Sequence, residues 1–155
     1  MSIAVVALGS NLGDSSATLD EALADIRALP LVRGVTASSV ISSVAITLAG
    51  PDPAKPRYAN AVALVDTDLA PSVLLAALNE IEARHGRVRD ERWGDRTLDL
   101  DIVAYGSVIS ADPSLTLPHP RAHERDFVLD PWLEIDPGAV LPGRGPVAEI
   151  RELLP

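Results

Sequence analysis

The sequence predicts an α+β fold, and three observations carry that prediction. Short apolar or alternating runs at residues 3–8, 32–46, 58–67 and 96–106 have the period of strands. Two longer segments between them carry apolar residues at helical spacing. Taken in order, the patterns read strand, helix, strand, strand, helix, strand, with a looped C-terminal portion after them.

Each element has its local reason. "IAVVAL" at 3–8 is a buried strand, ended by Gly9, Ser10 and Asn11. The first helix follows, with Ser15 or Ser16 as N-cap, Leu19, Leu23 and Ile26 on one face, and Pro30 as its stop. Residues 32–46 are rich in Val, Ile, Thr and Ser and read as one strand. Pro51, Pro53 and Pro56 then impose a loop. In "YANAVALVDT", Ala59, Ala61, Ala63 and Val65 alternate against Asn60, Val62 and Leu64. Pro71 suits the first turn of the second helix and Gly86 its C-terminal cap. "GRVRDERWGD" is a polar loop, and "RTLDLDIVAYG" is the fourth strand, turning at Gly106 and Ser107. A last helix is expected from about 122 to 133, broken at Pro131. The order matches a ferredoxin-like βαββαβ sandwich with C-terminal additions. Both helices would cover one sheet face and leave the other to a ligand. Residues 1–155 read as a single domain.

Composition narrows the function classes. With no Cys, disulfides, thiolate nucleophiles and Cys-ligated zinc are excluded. The N-terminus lacks a basic lead-in to its apolar run, and no segment approaches the ~20 apolar residues of a membrane span. A cytoplasmic protein is expected. The net charge of −9 argues against nucleic acid or an anionic membrane as partner. Yet Arg84, Arg87, Arg89, Arg92 and Arg96 cluster in one short stretch. An acidic chain with a local arginine cluster suits a small polyanion, because the guanidinium fork matches phosphate oxygens.

Four features could carry chemistry. Asp99 and Asp101 lie two apart in a strand, so they share a face, with Cα atoms roughly 7 Å apart. Such a pair either holds a hard divalent cation, Mg²⁺ above all, or lies on a solvated face beside arginines. The arginine loop between Gly86 and Gly94 either closes over a ligand or is simply solvated. Trp93 within it needs a docking partner, core or ligand. His119 is held between Pro118 and Pro120, which argues against a helical two-histidine metal site with His123. It is either a phosphate-contacting or hydrogen-bonding group or part of a structural turn. "GSNLGD" at 9–14 is neither a P-loop nor a dinucleotide fingerprint, and no G-x-S-x-G motif supports a nucleophilic serine.

Together, "ALGSNLGD", "YANAVA", "GRVRDERWGDRTLDLDIVAYG" and "LPHPRAHERDFVL" resemble the 6-hydroxymethyl-7,8-dihydropterin pyrophosphokinase family over nearly the whole chain. The R-W-G-x-R-T-L-D-L-D-I block is the most specific part. The resemblance implies transfer of pyrophosphate from ATP to the pterin hydroxymethyl group, release of AMP, and two Mg²⁺ ions bridging the ATP phosphates. It implies Asp99 and Asp101 as metal ligands, and Arg87, Arg96, Asp101 and His119 as the catalytic set. Asn79, Glu82, Arg89, Arg92, Trp93, His119 and Arg125 fall on the ATP side. Tyr58, Asn60, Phe127 and Asp99 fall on the pterin side. A monomer is the family expectation. The chain departs from the family pattern at 41–47, where Ile41, Ser43, Ala45 and Thr47 replace a Tyr, Thr, Pro and Gly, and at Asp95, which replaces a frequent Pro. Two other classes stay open at this point: a catalytically weak pterin- or nucleotide-binding relative, and a ferredoxin-like RNA-binding module.

Overall fold

The structure is a computed structural model and describes residues 2–11, 15–43, 46–47, 49–51, 58–85 and 98–155. Its main sheet is antiparallel. Strand β1 (Ser2–Ser10) lies at the centre, followed in sequence by α1 (Ser15–Arg27), β2 (Val32–Ala37) and β3 (Ile41–Ser43). A small hairpin, β4 (Ile46–Thr47) and β5 (Gly50–Pro51), precedes β6 (Tyr58–Thr67), α2 (Pro71–Arg84) and β7 (Asp99–Tyr105). Across the sheet the order is β2, β6, β1, β7, with β3 also paired to β6.

One face is built as the alternation requires. Ala4, Val6 and Leu8 of β1, Ala61, Ala63 and Val65 of β6, and Leu100 and Ile102 of β7 point to a common core. Leu19, Ala22, Leu23 and Ile26 of α1 close it, a spacing that makes one helical stripe. Leu74, Leu78 and Ile81 of α2 continue it. Each such buried leucine or isoleucine contributes about 1.5–3 kcal/mol over an exposed one. At its far end Tyr105 donates its hydroxyl to the Leu69 carbonyl.

The other face is not left open along its length, as the helix order alone suggests. The C-terminal portion is not mainly loop. It forms a 3₁₀ turn (Ala122–Glu124), α3 (Asp126–Ile135), the hairpin β8 (Val140–Leu141) and β9 (Gly145–Pro146), and α4 (Val147–Glu152). Val128, Leu129, Trp132, Leu141 and Val147 pack there against Val5, Val62, Val103 and Ala104. A β-bulge makes this possible. The β1–β7 register shifts between Val5 and Val6, so Val103 and Ala104 both face the C-terminal layer, and Tyr105 returns to the first core.

Three further expectations are corrected. The strand read over 32–46 is broken: Ser38 leaves the ladder and exchanges hydrogen bonds with Val62, its backbone N–H donating to the Val62 carbonyl and its Oγ accepting from the Val62 N–H. The C-terminal helix is interrupted at Arg125, which is extended at φ −116° and ψ 101°, whereas Pro131 lies inside α3. Helix α1 ends at Arg27 with Pro30 three residues beyond it, as a stop signal requires, but Ser15 and Ser16 lie within the helix rather than capping it. Gly86, the expected cap of α2, lies outside the described residues, and His85 is the observed C-cap. No helix among the described residues is long and apolar enough to cross a membrane.

Candidate active site

The antiparallel register sets the sequence-predicted residues in two rows on the α3 side of the sheet. The first runs Ile41, Asn60, Gly9, Asp99 across β3, β6, β1 and β7. The second runs Val62, Ala7, Asp101. Tyr58, two residues before Asn60, shares the face. Ala7, Gly9, Asp99 and Asp101 are only half-buried here, while Val103 and Ala104 farther along β7 are covered. The C-terminal layer therefore fills one end of this face and leaves the end with the aspartates accessible.

Small residues keep the space above the sheet open. Gly9 stands between Asn60 and Asp99, and a Cβ placed on it would lie 3.4 Å from Asn60 Oδ1 and 3.9 Å from Tyr58 Cδ1. Asn60 is nearly buried, and its Nδ2 makes a long, 3.4 Å hydrogen bond to the Tyr58 carbonyl.

The segment after β7 adds the remaining groups. The Leu117–Pro118 peptide is cis. His119 donates its backbone N–H to the Val103 carbonyl at 2.8 Å, which fastens this segment to β7 at the bulge. The imidazole Nδ1 accepts the Arg121 backbone N–H at 3.2 Å. Burial holds the imidazole pKa below the usual 6.5; Arg125 and Arg121 push the same way, and Asp99 opposes them. His119, Asp99 and Arg125 thus share one electrostatic neighbourhood. Arg125 stacks over Phe127, 5.8 Å from the ring centroid, and Phe127 packs half-buried against the C-terminal core.

Helix α2 approaches β7 from the other side. Glu82 is 1% exposed, and its Oε2 accepts the Leu100 backbone N–H at 2.8 Å. Asn79 lies nearly one turn before it on α2 and is half-buried. Arg87, Arg89, Arg92, Trp93 and Arg96 fall outside the described residues.

The donor set suits a hard cation that arrives with its substrate. Asp99 and Asp101 offer oxygen ligands on one face, beside small residues that leave room for more. Among the described residues, no group of three or more His, Cys, Asp or Glu is arranged to hold a metal by itself. Two carboxylates completed by phosphate oxygens and water are the usual surroundings of Mg²⁺.

Three residues of this region were missed by sequence reasoning. Gly9 and Ala7 become floor residues only through register with β6 and β7, although Gly at the end of an apolar strand was a signal. Glu134 of α3 accepts the Ser39 backbone N–H at 3.1 Å and the Ser39 hydroxyl at 2.9 Å, which ties the β2–β3 connection to α3. No local pattern signals that contact.

Comparison with known proteins identifies the family. The family model for 7,8-dihydro-6-hydroxymethylpterin-pyrophosphokinase (HPPK) matches residues 5–137. The chain is 44% identical over 150 residues to the 2-amino-4-hydroxy-6-hydroxymethyldihydropteridine pyrophosphokinase of Haemophilus influenzae, covering 97% of this chain and 91% of that one. Its identity to the enzyme of that name from Pseudomonas aeruginosa is 42% over 150 residues, covering 97% and 90%. Its fold resembles a crystal structure of Plasmodium falciparum HPPK-DHPS, with a TM-score of 0.71 at 12% identity; 97% of this chain is covered but only 44% of that longer one. A family model that spans most of the chain and relatives of nearly equal length at 42–44% identity show that the chain belongs to the 7,8-dihydro-6-hydroxymethylpterin-pyrophosphokinase family.

Proposed function

We propose that this chain transfers the pyrophosphoryl group of ATP to the hydroxymethyl oxygen of 6-hydroxymethyl-7,8-dihydropterin, in folate biosynthesis, giving AMP and the pterin diphosphate. The observation that carries this reading is the row Asn60, Gly9, Asp99 with Asp101 beside it, in a chain whose relatives bear that activity in their names. The sheet order β2, β6, β1, β7 with α1 and α2 on one face supports the ferredoxin-like reading of the fold. One catalytic domain in a cytoplasmic setting completes the picture.

Each side chain has a task in this scheme. Asn60 reads the donor and acceptor edge of a flat heterocycle, while Tyr58 and Phe127 supply aromatic surface. Gly9 gives that ring its clearance. Asp99 and Asp101 would hold Mg²⁺, with two ions expected, and the metal would supply charge neutralisation on the triphosphate. The nucleophile is the substrate's own alcohol, so no protein serine or cysteine is required. His119 and Arg125 present donors to phosphate oxygens, and Asn79 falls toward the nucleotide, while the buried Glu82 carboxylate accepts the Leu100 N–H rather than facing substrate. Arg87 and Arg96 neutralise the charge of the transferred group, Arg89 and Arg92 bind phosphate, and Trp93 seals the loop. Most of the acceleration then comes from positioning and charge neutralisation.

Asp101→Ala tests this assignment. The variant is expected to keep its circular dichroism and melting profile and to lose turnover by about a thousandfold or more, as loss of a metal-binding charge would produce. Activity near that of the unaltered protein in a correctly folded Asp101→Ala sample would contradict it.

A further inference from the structure

We propose that Glu82 is a positioning residue that fixes the spacing of Asp99 and Asp101 by holding the strand between them. This inference rests on the proposed pyrophosphoryl transfer. The buried stripe of α2 is Leu74, Leu78, Ile81 and Glu82, so a carboxylate occupies a position that the helical period assigns to an apolar side chain. Such a group is costly to bury unless it is hydrogen-bonded. Glu82 accepts the Leu100 N–H at 2.8 Å, and Leu100 is the residue between the two aspartates.

Topology explains why that N–H needs Glu82. Among the described residues, strand β7 pairs only with β1, at one border of the sheet. In an antiparallel ladder alternate residues turn their N–H and carbonyl groups toward the partner strand and away from it. The Leu100 N–H turns outward and meets the glutamate. The backbone of 99–101 is thereby gripped on both sides, by Ala7, Leu8 and Gly9 of β1 and by Glu82 of α2. A charge-assisted bond to a carboxylate is a strong grip, and it is aimed from a rigid helix. The side chain acts through the strand: the metal-binding carboxylates lie on one face of β7, and α2 packs on the other.

Two substitutions separate this role from its competitors. Glu82→Leu fits the apolar stripe but removes the acceptor; Glu82→Gln keeps an acceptor oxygen. Amide exchange at Leu100, affinity for Mn²⁺ with a non-hydrolysable ATP analogue, the Mg²⁺ midpoint of turnover and pterin affinity are measured for each. For Glu82→Leu the expectation is faster Leu100 exchange, metal–nucleotide affinity and Mg²⁺ midpoint weakened by about tenfold or more, and pterin affinity within about twofold. Glu82→Gln is expected to restore all four to within about threefold. A Glu82→Leu protein with an unaltered Mg²⁺ midpoint overturns the proposal, as does a Glu82→Gln protein as impaired as Glu82→Leu. If Glu82→Leu does not fold, fast exchange of the Leu100 amide in the unaltered protein still overturns it. Failure of the unaltered protein to make AMP would instead remove the proposed function, and the Leu100 exchange would remain interpretable.

Discussion

Individual residues show where chemistry outweighs packing. His119 is the clearest case, because burial and two arginines depress its pKa while Asp99 works against them. In the unfolded chain the imidazole titrates near 6.5. Between that value and the lower folded one, the unfolded state binds a proton that the folded state does not. Stability is therefore complete above about pH 6.5 and falls as the pH drops from there toward the folded pKa. Urea midpoints from pH 7.5 to 5 are expected to fall for the unaltered protein relative to His119→Gln; parallel curves would show that the depression is absent. Leu31 is a second case. It has φ +63° and an exposed side chain, while its carbonyl accepts the Asp68 N–H and the Thr67 hydroxyl. The left-handed backbone is costly for leucine, so Leu31→Gly is expected to raise stability by about 0.5–1 kcal/mol in urea titrations. At this scale the sequence was informative about identities and silent about neighbours. Asp99, Asp101 and His119 stood out by type and spacing and Asn60 by the family resemblance, but Gly9 gained its meaning from two strands distant in the chain.

Secondary elements were legible where one period ran without competition. β6 alternates over its whole length, and its two faces went to the two cores as the pattern required. Helix α1 showed its stripe, Leu19, Leu23 and Ile26, in the sequence. Where β2 stops, a tertiary contact replaced the local signal: Ser38 bonds to Val62. The C-terminal helix breaks at the extended Arg125, although Pro131 was the stronger local breaker. The bulge at the β1–β7 register shift had no sequence mark at all. The C-terminal layer follows the same rule, since its apolar residues needed the open sheet face to become a core. Trp132 is buried at the centre of that layer. Trp132→Ala is expected to cost about 3–5 kcal/mol, read as a lower urea midpoint. A loss below about 1 kcal/mol would mean that α3 is not packed as described. Glu134 gives this layer a second use, because its bonds to Ser39 couple α3 to the strand that carries Ile41 beside Asn60.

On the scale of the whole molecule, a net charge of −9 and a site for polyanions coexist because charge is distributed by region. Acidic side chains dominate the chain, yet His119, Arg121 and Arg125 gather along the segment beside β7, and the arginine-rich stretch precedes β7 in sequence. The sheet supplies the rigid part of the site, and its two helical layers differ in purpose. α1 and α2 anchor the strands from one side. α3 and α4 cover one end of the opposite face and leave the aspartate end accessible. Such a division favours a reaction in which substrate and nucleotide bring their own reactive groups and the protein aligns them. The most direct test is the identity of the nucleotide product when the protein is incubated with ATP, Mg²⁺ and 6-hydroxymethyl-7,8-dihydropterin. The account predicts AMP, formed only when the pterin is present and in equal amount to a pterin product heavier by two phosphoryl groups. ADP as the product, or no turnover of the pterin by folded protein, would contradict it.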